Sequence, residues 1–337
     1  MNIKGDCMNG LLRVRASLFA ALAFAALALS AAPVSLAQDN FPNRPIRIFI
    51  GFAAGGGTDS VLRAIAGKLS ENLGVPVLVD NRPGANGNIA GQAVAQSPAD
   101  GYTLLYNTSS LVLSPHLYAK LNYDFARDLT PVALTANIPL VLVTHPAVPV
   151  TTVQEFVAYL KANPGKINYA SASKGNVTHL ATVQLLQAVG AQATHVPYKA
   201  EAPAVTDILG GQVQFYFGTA NAMIPQIKAK KLRGLVVSSR TRNEAISDVP
   251  TLAETILPGV EIGAWSGVMA PAKTPHSIVV KLNVELNKAL QDPALRAKII
   301  GTGAEVRGST VEEYDAFLKS EFERWGQAVK AAGLKPE

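Results

Sequence analysis

Apolar residues along the chain keep two rhythms. Short apolar runs at residues 46–52, 77–79, 102–106, 140–143, 167–170, 194–196, 213–217 and 235–237 have the length of strands. Turn-forming residues such as Gly, Pro and Asn separate many of them. Between several of these runs, apolar residues recur every three or four positions, as at Leu62, Ile65 and Leu69 after Thr58. That spacing predicts helices packed by one face. Further helical stretches fall near residues 87–95, 178–189, 204–209, 223–228 and 275–290. Alternation of strand and helix predicts an α/β fold of parallel strands joined by crossover helices. Thr152 with Glu155, and Thr310 with Glu313, have the Thr-x-x-Glu spacing of a capping box, in which two groups at a helix start satisfy each other. After the second box, Tyr314, Phe317, Leu318, Phe322, Trp325 and Val329 follow helical spacing. This stripe reads as a face packed on the main body rather than a binding surface.

The first forty residues break the pattern. Lys4, Arg13 and Arg15 precede an uncharged run at residues 16–29, and Pro33 and Ser35-Leu36-Ala37 follow it. A basic start, a short apolar core and small residues before the cleavage point predict a secretory signal peptide over residues 1–37, cleaved after Ala37. The apolar run is about 14 residues, and a membrane-spanning helix needs roughly 20, so the pattern reads as a leader and not an anchor. The mature protein is expected in the periplasm. The only cysteine, Cys7, lies in the leader, so disulfide and thiol chemistry are not expected of the mature chain. From Gln38 onward the chain is long enough for a large core and near the size at which chains split into two lobes. The formal net charge of +6 is spread without a block of five like charges. That argues against nucleic acid and against a polybasic membrane segment, while a weak positive field favours anionic ligands.

Two loops carry candidate chemistry. Phe52-Ala53-Ala54-Gly55-Gly56-Gly57-Thr58-Asp59 lies between a strand and a helix. Its glycines let backbone N–H groups approach a ligand, and the following helix start adds unpaired N–H groups and a positive dipole end. A carboxylate or phosphate suits that arrangement, although the same loop also reads as a tight turn in which Thr58 only caps the helix. Gly57 stands where a Walker loop needs Lys, and Ser60 where a dinucleotide fingerprint needs Gly, so both phosphate-loop readings fail. Asp59 complements the helix start and would repel an anion. The second loop, Ser171-Ala172-Ser173-Lys174-Gly175-Asn176-Val177-Thr178, has the same strand-to-helix setting and one cation. It reads either as the opposite grip on a ligand or as a solvated loop with Lys174 in water. His116, His145, His179, His195 and His276 lack metal-ligand spacing, and no Gly-x-Ser-x-Gly elbow or paired-carboxylate motif is present. No cofactor, no metal and no catalysis are therefore expected.

An ordered series of short motifs runs from about Pro42 to Gly333. It includes Pro42-x-x-Pro45-Ile46, the Phe52 to Asp59 loop, Asp80-Asn81-Arg82-Pro83-Gly84 and Pro98-x-Asp100-Gly101-Tyr102-Thr103-Leu104-Leu105. Asn163-Pro164-Gly165-Lys166, Tyr169-Ala170-Ser171, His195-Val196-Pro197-Tyr198-Lys199 and Gly210-Gly211-Gln212-Val213 follow. Lys231-Leu232-Arg233, Asp248-Val249-Pro250-Thr251, Trp265 and Ala270-Pro271-Ala272 complete it. In this series the chain resembles the substrate-binding receptors of tripartite tricarboxylate transporters, the Bug family.

The resemblance implies a type II periplasmic binding protein, with two α/β lobes, a central ligand cleft and two chain crossings, placed near Asn137 and Pro258. Lobe 1 would hold residues 38–137 and 258–337, and lobe 2 residues 138–257. The ligand would be a small organic carboxylate, and the partners the membrane subunits of a tripartite tricarboxylate-type transporter, served by a monomeric receptor. On one side the site would use Ala54, Gly55, Gly56 and Thr58. On the other it would use Ser173, Gly175, Asn176 and Thr178, with Lys174 and His179 beside them. Phe52 and Tyr198 would be aromatic walls, and Asn107 and Ser109 would face the same cleft. Gly218, followed by Thr219, stands where many relatives carry an Asp that can meet a ligand amine, which disfavours an amino acid and favours a dicarboxylate or aromatic carboxylate. A sensory receptor signalling through a membrane kinase and an unfamiliar hydrolase are the competing readings.

Overall fold

The computed structural model describes residues 41–337 apart from 56, 259–261 and 337. The leader at residues 1–37 lies outside the described residues. The chain begins with β1 (Ile46–Ile50), α1 (Gly57–Leu73), β2 (Val77–Asn81), α2 (Asn88–Ala95), β3 (Thr103–Thr108), α3 (Ser109–Leu117) and α4 (Phe125–Asp128). The long β4 (Leu129–Thr144) leads to α5 (Val153–Ala162), β5 (Asn168–Ser171), α6 (Val177–Val189), β6 (Thr194–Pro197), α7 (Glu201–Leu209), β7 (Phe215–Thr219), α8 (Ala220–Lys228) and β8 (Arg233–Val237). It ends with α9 (Leu252–Thr255), β9 (Gly263–Pro271), α10 (His276–Gln291), α11 (Pro293–Gly301), β10 (Glu305–Val306) and α12 (Val311–Ala331).

The strands form one curled sheet in the order β2-β1-β3-β9-β4-β7-β5-β6, with β8 and β10 also pairing with β4. Strand β4 changes partners along its length. Its first part, to Pro139, runs antiparallel to β9, and from Leu140 it pairs with β7 and β8. Asn137, where one crossing was expected, lies within β4, and Pro258, where the other was expected, adjoins residues 259–261, outside the described residues.

The registers fix where the parallel strands end. Thr108, the last residue of β3, lies opposite Ser266, which lies opposite Ala136 of β4. Thr219, the last residue of β7, lies opposite Leu140. These two points on β4 are four residues apart, roughly 13 Å of extended chain. β1 runs parallel to β3, and β5 parallel to β7. The carboxyl ends of both parallel sets therefore approach the partner switch of β4 from opposite sides. Ligands of open α/β sheets collect at such ends.

Several elements escaped the apolar pattern. The first half of β4 carries Thr130, Pro131, Thr135, Asn137 and Pro139, which interrupt any apolar run. Helix α3 is buried from Ser109 to Ser114, so it has no polar face to give it a stripe. The stripe on α12 packs as expected: Tyr314, Leu318, Trp325 and Val329 lie in the core. Phe317 is half-buried, and Phe322, the exposed member of the stripe, rests against the His116 ring at 4.3 Å. Between the two indoles sits Glu321, whose Oε2 accepts from Trp265 Nε1 at 2.6 Å and Trp325 Nε1 at 2.8 Å. The capping boxes at Thr152 and Thr310 are formed, and a third joins Thr251 to Glu254.

Candidate ligand-binding cleft

Four strand-to-helix junctions converge on the switch: β1 to α1, β3 to α3, β5 to α6 and β7 to α8. The first is held from beneath by Asp59. Its buried carboxylate accepts from the Gly55 N–H at 2.9 Å, Arg63 Nε at 2.8 Å and Asn81 Nδ2 at 2.8 Å. Asn81 also donates to the Phe52 carbonyl at 2.9 Å. Burial opposes the charge on Asp59, but the bonds from Arg63, Asn81 and Gly55 outweigh it and lower its pKa. Asp59 thus works inside the loop, and the motif residue Asn81 is its staple. The Gly55 N–H, expected to face a ligand, is engaged by this carboxylate. Gly55 has a φ of 84°, which explains the glycine there. Ala54 is exposed, Phe52 and Thr58 are half-buried, and α1 starts at Gly57, one residue before Thr58. Gly56 lies outside the described residues.

At the second junction, Asn107 and Ser109 are fully or almost fully buried. Asn107 Nδ2 donates to the Tyr314 hydroxyl at 3.4 Å, while Asn107 Oδ1 and Thr108 Oγ1 are buried with no hydrogen-bond partner. Unpaired buried polar atoms at the end of a strand are what a ligand or water would satisfy.

The third junction is built on two stacked histidines. His179 Nδ1 accepts the Gly175 N–H at 3.1 Å, and its ring lies 3.8 Å from that of His195 at an angle of 10°. The Ser171 hydroxyl donates to the Ser173 carbonyl and lies 2.6 Å from His195 Nε2, so that nitrogen carries the proton. Burial first, then the charges of His195 and Lys174, lower the pKa of His179 to about 3. Burial and Lys174 lower His195 to about 4. Both rings are therefore neutral near pH 7. Asn176 caps α6, accepting from the Thr178 N–H at 2.9 Å, and Thr178 Oγ1 accepts from the Ala172 N–H at 3.0 Å. Gly175 needs its missing side chain: its φ is 76°, and a Cβ would meet both Leu117 methyls at 2.9 Å. Lys174 is exposed beside a cavity of about 100 Å³ shared with Asn86, Leu117 and Tyr118.

The fourth junction differs most from expectation. A Cβ on Gly218 would fall 2.5 Å from Tyr216 Cε1 and 3.0 Å from Met223 Cγ, so the missing side chain lets Tyr216 and Met223 pack there. Thr219 gives both its N–H, at 2.9 Å, and its hydroxyl, at 2.7 Å, to Glu201. Tyr216 donates to the same carboxyl at 3.1 Å. Burial raises the Glu201 pKa, opposed by those bonds. Tyr198 packs beside the smaller core of Val141, Tyr216 and Met223, is half-buried, and its hydroxyl donates to Asp207 at 2.7 Å.

The structure thus brings Ser173 to His179 together as one stapled loop and joins it to α3. Two residues of this neighbourhood were not read from sequence. Glu201 reaches Thr219 only through tertiary packing. Asn221, in the first turn of α8, lies against Gly57 and has a buried, unpartnered Oδ1. Its local signal was present: Gly218-Thr219-Ala220-Asn221 is another strand-to-helix junction rich in small residues.

The sequence profile of the tripartite tricarboxylate transporter family receptor, TctC, matches residues 61–334. Protein BugT of Bordetella pertussis is 38% identical over 307 residues, covering 90% of this chain and 94% of its own. The solved structure of R. palustris Rpa4515 with adipate is 34% identical with a TM-score of 0.80, over 88% of this chain and 100% of that one. MatC of Rhodopseudomonas palustris with bound malate is 31% identical with a TM-score of 0.74, over 86% of this chain and 100% of that one. Among the described residues, no helix is long and apolar enough to cross a membrane. With motifs, junctions and near-complete alignment in agreement, this chain belongs to the tripartite tricarboxylate transporter receptor family, the Bug solute-binding proteins, and has their type II two-lobed fold.

Proposed function

We propose that the protein captures a small organic carboxylate in the periplasm and delivers it to the membrane subunits of a tripartite tricarboxylate-type transporter. The convergence of four strand-to-helix junctions on the β4 switch carries this reading. Helix starts at α1, α3, α6 and α8 offer N–H groups and positive dipole ends to an anion. Asn107 Oδ1 and Thr108 Oγ1 add buried polar atoms in need of a partner. Relatives solved with adipate and with malate support the ligand class. Within that class we favour an aliphatic or aromatic dicarboxylate over an amino acid, with Lys174 meeting the second acidic group. The lobes, residues 38–137 with 258–337 against 138–257, close on the ligand as a monomeric clamp, which requires tighter binding by the closed form. No covalent step is involved.

A thermal-shift screen of adipate, malate, terephthalate, citrate and nicotinate, with glutamate and aspartate as controls, tests this. A ligand at 100 times its Kd adds roughly 2.7 kcal/mol to the native state. No shift with any acid sinks the reading, and a shift with glutamate or aspartate alone sinks the ligand class.

A further inference from the structure

Helix α8 packs on β4, β7 and β8, and its first turns also reach two glycines of the other half of the molecule. A methyl group built on Gly57, the first residue of α1, would lie 1.5 Å from Asn221 Nδ2 and 2.6 Å from its Cγ. One helical turn further along α8, Ile224 Cδ1 lies 2.8 Å from where a Cβ on Gly303 would stand. Gly303 follows α11, next to β10, which pairs with the first part of β4. Asn221 and Ile224 thus meet two glycines of the opposite half at once, over a cavity of about 300 Å³ that Ser60 and Thr302 also line. Gly57 opens helix α1, and the space a side chain would take there is filled by the Asn221 carboxamide.

We infer that Asn221 is the stop against which the cleft shuts, with Gly57 as its seat. The inference rests on the clamp described above and adds the residue pair that sets its closed position. Asn221 fits the role because its Nδ2 end fills the space over Gly57 while its Oδ1 is buried and unpartnered, leaving one polar atom at the closed edge for a ligand or ordered water. Closure brings the α1 and α8 helix starts to a fixed separation, and that separation selects ligand length.

The test is a double-mutant cycle read by calorimetry with adipate and with malate. Gly57→Ala keeps an allowed backbone but collides with Asn221, and is expected to weaken binding at least about tenfold by holding the cleft ajar. Asn221→Ala removes the stop and is expected to weaken binding less. The double variant is expected to bind like Asn221→Ala alone, because the collision has gone. Unchanged affinity in Gly57→Ala, or losses that simply multiply in the double variant, overturns the inference. If the wild-type protein takes neither acid, the receptor reading falls separately. The stop is then read from the radius of gyration of the unliganded protein, which should rise in Gly57→Ala and return in the double variant. No rise, or no return, overturns it.

Discussion

Acidification from pH 7.5 to 5 should strip a defined part of the stability from this protein, and His179 is the reason. Its ring is buried, stacked on His195, and accepts the Gly175 N–H through Nδ1. A proton on that nitrogen would turn the acceptor into a donor facing a donor. Burial, then the charges of His195 and Lys174, hold the folded pKa at about 3, against about 6.5 in an unfolded chain. Between those values the unfolded chain binds more protons, so stability is fully present above pH 6.5 and falls as the pH drops toward 3. At about 1.4 kcal/mol per pH unit, His179 alone costs about 2 kcal/mol between pH 6.5 and 5. His195, with a pKa of about 4, acts in the same direction by a smaller amount because it is only half-buried. The lowered carboxylates Asp59 and Asp128 titrate below this window, and Glu201, whose pKa burial raises, is common to wild type and variant, so the comparison between the two isolates the His179 imidazole. Urea unfolding at both pH values would measure it, with His179→Asn as the control: Asn can still accept from Gly175 but does not titrate. The variant should be less stable at pH 7.5, and its loss on acidification should be about 2 kcal/mol smaller. An equal loss in both proteins, or a flat wild-type profile from pH 7 to 5, would refute the reasoning.

Three further outcomes follow from the same geometry. Asn81→Ala removes the donor to both Phe52 and Asp59; it should cost about 1–3 kcal/mol in stability and also weaken ligand binding, by melting and calorimetry respectively. Gly175→Val combines a forbidden φ with contact at 2.9 Å to Leu117, and should abolish adipate or malate binding in a protein that still melts cooperatively. Glu321→Leu leaves the N–H groups of Trp265 and Trp325 buried without their acceptor, at a cost of about 1–3 kcal/mol for each in chemical unfolding. An unaltered midpoint would show that the indoles find other partners.

Much of this molecule could be read in its residues, and the limits have physical causes. Apolar periodicity and capping chemistry are local, so the βα alternation, the boxes at Thr152 and Thr310 and the buried stripe of α12 were visible. Strand β4 was visible only from Leu140, because its first half earns its place by pairing with β9 and not by an apolar run. Small residues between a strand and a helix marked the loops at Phe52 and Ser171. Which of their atoms remain available is a tertiary matter. The Gly55 N–H goes to Asp59, Thr219 is bound to a glutamate 18 residues away, and the space over Gly218 holds Tyr216. Asn221 acquires meaning only when α8 is set against Gly57.

The change of partners in β4 has a mechanical corollary. Proline contributes no N–H at residue 139, and the Leu140 N–H goes to the Ser238 hydroxyl at 2.8 Å rather than to a neighbouring strand. Two consecutive peptide units therefore contribute no donor to the sheet ladder at the point where the strand changes partners. The Leu140 carbonyl still accepts the Ser238 N–H at 2.9 Å, so the segment keeps an acceptor bond but lacks ladder donors, and it twists more readily than the strand on either side. The work of separating the two halves is then set by the surfaces on either side of the segment, where a single side chain can tune it without weakening the strand that connects them.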